Sequence, residues 1–340
     1  MRPVANIAFV ACAPFALMFT TIFATIFTMM SALTLSACSE GKTVRLGSSD
    51  LYHFDPPTLV TELASGMRSD NPTLTSDLLE IVFTTDRQGG TGGGDIWVAK
   101  RDAATLAFGT PVPVTAVNTD TFETSSAIAG DGLTLWFGSD RPGGAGGLDI
   151  WATHRTTRSA PWSTPENVPA LNSTANDIPR PPGQGSLVMP MASTATTAAN
   201  PVAGTYQTYL SVRPTVGAPF GTPAPIPELS TPTRSTVDGF LSADGLTLFF
   251  STQMVSSTDG GTSANDAGAA DAGAAATKAD LFVAWRRSTH APFSVVQPLD
   301  DLNTPDDERD PWLSPDGSTL YFTSDRSGAL NIYTAHVRPR

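Results

Sequence analysis

The chain has 340 residues, of which 40% are hydrophobic, and it carries a formal net charge of −12 at pH 7. This length and composition are enough for one large domain or two small ones. The acidic balance makes nucleic acid and anionic lipid surfaces poor partners, and it leaves cations or neutral ligands as better ones. An acidic surface is also what an ordinary soluble domain presents.

The N-terminal segment differs from everything after it, because Arg2 is its only charge and an apolar run extends from Ile7 to Ala37. The run is longer than the usual core of a signal peptide and long enough to span a bilayer. It ends in Leu35-Ser36-Ala37-Cys38, which resembles the lipobox of bacterial lipoproteins. That resemblance implies a signal peptide over residues 1–37, cleavage before Cys38 and a lipid on the Cys38 thiol.

An uncleaved membrane anchor is the alternative interpretation of the apolar run, and both interpretations place the rest of the chain outside the cytoplasm. Cys12 lies too early to be the processing site, so only Cys38 remains after cleavage and the mature chain can form no internal disulfide. If the cell is Gram-negative, Ser39 in place of an aspartate implies, by the lipoprotein sorting rule, an outer-membrane location facing the periplasm or the surface. Residues 38–54 are predicted to tether the domain to the lipid.

An Asp-Gly turn or its equivalent recurs along the rest of the chain every 50 residues or so (roughly 50 to 70), which is typical of a propeller or a solenoid. The turns fall at Asp77, Asp131, Gln184, Asp244 and Asp316. The clearest copies of the repeat span residues 309–338, 71–101, 125–155 and 237–287, and a worn copy lies near 178–213.

Each repeat is predicted to hold four strands, which in the second copy are residues 126–129, 133–138, 149–154 and 162–171. The second and third strands are rich in β-branched and aromatic residues. Proline is confined to the fourth strand, where a lost backbone donor is tolerated because one edge faces solvent. The fourth strand is therefore predicted to be outermost.

A further fourth strand, residues 58–63, precedes the first copy, while the last copy ends at Arg338 without one. We expect residues 58–63 to pair with residues 331–337, because this pairing removes two free sheet edges. The predicted fold is all-β: a five-bladed β-propeller over residues 55–338, with four-stranded antiparallel blades and the last blade closed by the N-terminal strand. Two insertions, 192–205 and 253–279, separate second and third strands, and the longer one is predicted to be disordered.

The repeat resembles that of TolB-like, WD-related β-propellers. The resemblance rests on Ser-Pro-Asp-Gly-Ser-Thr-Leu-Tyr-Phe-Thr-Ser-Asp-Arg at 314–326, on Gly-Asp-Gly-Leu-Thr-Leu-Trp-Phe-Gly-Ser-Asp-Arg at 130–141 and on Thr-Thr-Asp-Arg at 84–87. The third and fourth copies lack Ser-Asp-Arg, so distortion is expected in those two blades. Because the repeats account for residues 55–338, the resemblance implies that the propeller itself carries the function.

The recurrent Ser-Asp-Arg…Asp sets allow two interpretations. Carboxylates beside glycine-rich loops can bind calcium, which is the one cofactor that the sequence suggests. Alternatively, the first Asp accepts from turn amides and the Arg pairs with a nearby acid, which fits recurrence in several blades better. The sets are Asp86, Arg87 and Asp95; Asp140, Arg141 and Asp149; and Asp325, Arg326 and Asn331.

A second pattern places an acid just before each innermost strand, where the five blades are expected to converge on one mouth of the central channel. Such a ring is a candidate site for a cation, a basic peptide or a sugar, and the alternative is a solvated rim that caps strand ends. The candidate residues are Asp70, Glu123, Asp177, Asp238, Glu308 and Asp310.

No nucleophile motif is found: the four histidines are scattered, there is no Gly-x-Ser-x-Gly elbow, and the glycine-rich stretch 89–94 lacks a phosphate-binding Lys-Ser/Thr. The repeated aromatics are expected to be interblade core: Trp97, Trp151, Tyr333, Trp136, Phe249 and Tyr321. The sequence thus favours a non-enzymatic, lipid-anchored propeller that binds an envelope protein, a peptide or a glycan. The alternatives are a carbohydrate-active enzyme using channel carboxylates and a purely structural envelope protein.

Overall fold

The computed structural model describes residues 52–183, 185–197, 201–254 and 278–338. The predicted signal peptide, the predicted lipidation site Cys38 and most of the predicted tether lie outside the described residues, as do residues 255–277 of the longer insertion. The described residues all lie within one compact unit. Across the described residues, no helix is long and apolar enough to cross a membrane.

Twenty strands in the described chain form five four-stranded antiparallel sheets, which are the blades of a propeller. The first strand of the chain, β1 (Thr58–Leu59), belongs to the last blade. Blade 1 contains β2 (Ser69–Leu74), β3 (Glu80–Thr85), β4 (Asp95–Lys100) and β5 (Val112–Pro113). Blade 2 contains β6 (Glu123–Ile128), β7 (Thr134–Ser139), β8 (Asp149–His154) and β9 (Glu166–Asn167).

The other three blades follow in chain order. Blade 3 contains β10 (Asp177–Pro179), β11 (Val188–Ser193), β12 (Gln207–Val212) and β13 (Ala224–Pro225). Blade 4 contains β14 (Arg234–Leu241), β15 (Thr247–Met254), β16 (Asp280–Trp285) and β17 (Val295–Pro298). Blade 5 contains β18 (Glu308–Leu313), β19 (Thr319–Ser324) and β20 (Asn331–His336), and β1 completes it.

The predicted closure is confirmed: β1 pairs antiparallel with β20, with Thr58 opposite Thr334 and Leu59 opposite Tyr333. The strand is shorter than predicted, because a 3-10 turn, Thr61–Leu63, replaces its second half. The other fourth strands are also outermost and short, since their prolines cannot donate to the ladder.

Closure begins earlier in the chain than the predicted domain boundary, at Phe54. The Asp55 amide donates to His336, just as the Gly109 amide donates to Lys100 in blade 1. Phe54 therefore takes the place in blade 5 that Phe108 takes in blade 1. It is 1% exposed and packs in a core between blades 4 and 5, so the last three tether residues belong to the propeller.

The core lies between adjacent blades. One cluster joins Leu74, Phe83 and Trp97 of blade 1 to Trp312 and Tyr321 of blade 5. The repeated aromatics of the second and third strands are all buried, as expected for interblade packing.

The two blades without Ser-Asp-Arg differ from the others in strand length. The inner strand of blade 3 has only three residues, while β14 and β15 of blade 4 have eight each. Strand β15 extends to Met254, so the longer insertion starts two residues later than predicted.

We expect Phe54→Ala to lower the free energy of unfolding by about 3 to 5 kcal/mol, because it leaves a cavity in the closing blade. Chemical denaturation of the chain from Ser48 onwards measures this. The control is Val112→Ala, an exposed residue of the equivalent fourth strand of blade 1, for which a change within about 0.5 kcal/mol is expected. Equal effects of the two substitutions would show that the N-terminal segment does not close the ring.

Candidate functional site

The inner strands β2, β6, β10, β14 and β18 surround the central channel. We call the end where these strands begin the strand-start end, and the end where they lead into the Asp-Gly turns the turn end. The six predicted acids divide into two sets along this axis.

The first set, Glu123, Asp177 and Glu308, is fixed within individual blades at the strand-start end. Each is 0 to 1% exposed and accepts a hydrogen bond from a backbone amide four residues earlier, as Glu123 does from Thr119 at 2.8 Å. The hydroxyls of Thr119 and Ser139 also donate to Glu123. These carboxylates therefore tie the incoming loop to the first and second strands of their own blade.

The Ser-Asp-Arg turns complete these networks. Arg141 donates to Glu123 at 3.0 Å, and Arg326 donates to Glu308 at the same distance. Burial raises the pKa of Glu308, although hydrogen bonds from Thr304 and the charge of Arg326 oppose the shift.

The aspartates of these turns accept from backbone amides, as the second interpretation of the motif requires. Asp95 accepts from Thr91 at 3.0 Å, Asp149 accepts from Ala145 at 2.9 Å and Asp140 accepts from Phe122 at 2.8 Å. Among the described residues, no group of three or more His, Cys, Asp or Glu side chains is arranged to hold a metal ion. Calcium binding stays a prediction.

The second set of acids lies at bulges in the middle of the channel, a region that we call the waist. Four described inner strands shift register at equivalent points, and a non-glycine residue there has a left-handed backbone. These residues are Asn71 (φ 53°), Ser125 (φ 51°), Asp238 (φ 61°) and Asp310 (φ 55°). Such bulges re-aim side chains, and left-handed non-glycine residues concentrate at functional sites.

Arg180 of blade 3 joins the waist residues, and it directly follows the short strand β10. Its side chain is fully buried, and its Nη1 atom donates to Oδ1 of Asn71 at 2.8 Å. The same Nη1 lies 3.4 Å from Oδ1 of Asp310 and 3.9 Å from Oδ1 of Asp238. The backbone amide of Asn71 donates to the other oxygen of Asp310 at 3.1 Å.

Burial raises the pKa of two aspartates at the waist, Asp238 and Asp70. It raises the pKa of Asp238 from 3.8 to about 8, and the nearby Asp310 charge adds to the shift while Arg180 opposes it. Asp238 therefore holds a proton at neutral pH. Burial also raises the pKa of Asp70, which Arg68 opposes from 3.3 Å.

The turn end opens into a cavity of about 450 Å³, which we call the funnel. Every blade contributes to its wall, and the lining is mainly apolar. The apolar residues that face it include Leu74, Ile128, Pro181, Phe240 and Trp312, and Asp244 and Asp316 lie among the turn residues of the lining. None of the six predicted acids lines the funnel.

The structure thus brings Asp70, Asp238 and Asp310 together at the waist and leaves Glu123, Asp177 and Glu308 in separate blade networks. Ligand binding by the six acids stays a prediction. The sequence analysis did not identify Arg180 as a site residue. The sequence does show that Arg180 is unusual, because the other four blades have proline, serine or glycine at the equivalent position. Phe240 and Trp312 follow two residues after Asp238 and Asp310, and their exposure to a cavity had no sequence signal.

No family model and no curated protein matches the chain. Solved structures of similar fold include TolB from Acinetobacter baumannii, with 14% identity, TM-score 0.47 and coverage of 82% of this chain and 56% of that one. A protein of unknown function from Dyadobacter fermentans has 11% identity, TM-score 0.48 and coverage of 85% and 99%. A thermostable family-43 glycoside hydrolase has 8% identity, TM-score 0.44 and coverage of 82% and 92%. The similarity to these TolB-like and other propellers concerns the fold alone, and the chain spans little more than half of A. baumannii TolB.

We expect Asp238→Asn to change the pH dependence of stability. The unfolded carboxyl ionises near pH 4 and the folded one near pH 8. The native chain should therefore lose up to about 1 kcal/mol per pH unit relative to the variant as the pH rises between these values. Urea denaturation from pH 5 to pH 8 measures this, and Asp244→Asn in the exposed turn of the same blade is the control. Parallel stability curves for native chain and Asp238→Asn would contradict the assigned protonation.

We expect Glu123→Gln to lower the free energy of unfolding by about 3 kcal/mol, because it leaves the Arg141 charge without its buried partner. Glu166→Gln, an exposed acid in the same blade, is the control for denaturation. The loss should be the same with calcium and with a chelator. A variant of unchanged stability that has lost calcium affinity would overturn the structural role.

Proposed function

We propose that the chain is a non-enzymatic binding protein of the cell envelope, which is anchored by a lipid at Cys38 and takes up part of an envelope protein, a peptide or a glycan at its central channel. The funnel is the observation that carries the proposal. Its volume of about 450 Å³ lies in the usual range of ligand pockets, and its apolar wall supplies a desolvated anchor site. The location rests on the Leu35-Ser36-Ala37-Cys38 sequence and on Ser39.

The wall of the funnel suits recognition because five separate blades build it. A ring of packed sheets holds the turn residues in fixed positions, so little conformational entropy is lost when a ligand enters. Aromatic side chains at the centre of a pocket are typical binding anchors, and the rings of Phe240 and Trp312 lie 5.9 Å apart in the wall. The acidic turns around them disfavour anionic groups near the rim.

A carbohydrate-active enzyme is the second candidate, and one observation favours it. Burial raises the pKa of Asp238 to about 8 beside a second carboxyl, Asp310, and a carboxyl with a raised pKa is what the general acid of glycoside hydrolysis needs. The position of Arg180 argues against this candidate. Its buried guanidinium contacts both carboxyls, where the enzyme would need the sugar or an attacking water.

Capture of a partner from envelope extract tests the binding function. We expect the chain from Ser48 onwards to retain a specific partner and Ala243→Trp to lose it by at least about tenfold, because Ala243 is an exposed residue of the funnel wall and an indole there fills the cavity. The matched control is Ala104→Trp, at an exposed alanine in an outer loop of blade 1. Each capture is made with and without calcium. Equal retention by both variants would contradict binding at the funnel.

A further inference from the structure

Arg180 carries a buried pair of donors that the fold does not use. Its Nη1 atom is engaged by Asn71, Asp310 and Asp238, whereas Nε and Nη2 have no hydrogen-bond partner among the described residues. A buried N–H without a partner is energetically costly, and folded proteins rarely leave one. Two on a side chain with no exposed surface indicate that another group satisfies them.

The geometry of this free edge points to a carboxylate. The Nε and Nη2 hydrogens of a guanidinium are parallel and coplanar, so they match the two oxygens of a carboxylate in a bidentate pair. The surroundings also suit an added negative charge. Because Asp238 is protonated at neutral pH, the buried Arg180 charge is opposed there mainly by Asp310. Arg309 acts on the same two aspartates, and its Nε also lacks a partner among the described residues.

The waist lies directly beneath the funnel. Pro181 of the funnel wall is the next residue after Arg180, and Phe240 and Trp312 are two residues beyond Asp238 and Asp310. Two residues of strand span about 7 Å. A group seated between Phe240 and Trp312 can therefore extend a carboxylate toward Arg180, whose fully buried guanidinium must become accessible as the ligand enters.

We propose that the channel binds the C-terminal carboxylate of a peptide, with the apolar last side chain in the funnel and the carboxylate on Nε and Nη2 of Arg180. This inference rests on the proposed binding function and names the chemistry of its ligand. The peptide then leaves the channel past the Asp-Gly turns, where Asp244 and Asp316 favour neutral or basic residues upstream of the terminus.

A fatty acid offers the same carboxylate, and the funnel favours the peptide over it. The cavity opens from the aromatic pair to the turn residues of all five blades, and polar side chains of four blades lie among them. An acyl chain with its carboxylate at the waist would extend its far end into these turns and into water. A peptide places only one apolar side chain in the cavity, and its backbone finds polar partners at the rim.

Calorimetric titration of the chain from Ser48 onwards tests the proposal with three probes. These are N-acetyl-Lys-Ala-Phe with a free carboxylate, the same peptide as its C-terminal amide, and decanoate. We expect the acid to bind at least about tenfold more tightly than the amide, because a bidentate charge-assisted pair is lost in the amide. Decanoate should bind more weakly than the peptide acid.

The variant Arg180→Lys provides a second test, since lysine keeps the positive charge but lacks the two parallel N–H donors of the guanidinium. It should abolish the preference for acid over amide, whereas Arg286→Lys, which alters an arginine held by the Gly245 carbonyl, should leave the preference intact. Near-ultraviolet circular dichroism shows whether each variant is folded. If Arg180→Lys is not folded, the comparison of acid with amide on the native chain still decides the matter.

The outcomes separate this inference from the proposed function. Equal affinity for acid and amide, no binding of either, or a preference that survives in Arg180→Lys overturns the carboxylate site, while a partner captured through the funnel would still stand. Tighter, Arg180-dependent binding of decanoate overturns the peptide assignment. Loss of both acid and amide binding in Ala243→Trp, with the acid preferred in the native chain, supports the inference and the funnel together.

Discussion

Hydrogen bonds between β1 and β20 join the two ends of the propeller, and every feature of the channel depends on that ring. Each blade buries its faces only against two neighbours, so an open arc of five sheets would expose two apolar faces. The closing segment does more than add two strand residues. Phe54 packs between blades 4 and 5, and Val60 and Leu63 pack against blade 1, so one short segment contributes to the cores on both sides of blade 5.

The channel uses charged residues in two physically different ways. At the strand-start end, Glu123 and Glu308 each accept hydrogen bonds from one backbone amide, from hydroxyls and from one arginine of the same blade. At the waist, burial and the neighbouring Asp310 charge raise the pKa of Asp238, and the Nε and Nη2 donors of Arg180 have no partner among the described residues. A hydrogen-bond network in which every buried polar group has a partner stabilises the fold, whereas a network with unpartnered donors can still bind a ligand.

Repetition explains what the sequence could predict. Strand order, blade number and closure follow from a pattern that recurs five times, so local errors in one copy are corrected by the others. The repeat pattern could not predict the site, because the site residues lie where the copies differ from one another. Arg180 occurs in the copy that departs most from the repeat, and Phe54 was assigned to the tether because the fourth-strand pattern is too short to fix its own start. The cavity beside Phe240 and Trp312 depends on how five turns meet in space, which no single copy encodes.

Native-state hydrogen exchange at the amides of Val60 and Asp55 tests the closed ring most directly, because these amides donate to Ile332 and His336 across the closure. The account predicts that both exchange only through global unfolding, with the same free energy as the Val82 amide in the middle of blade 1. Exchange of Val60 and Asp55 at a much lower free energy, while Val82 stays protected, would show a ring that opens on its own and would contradict a channel held shut by five fixed blades.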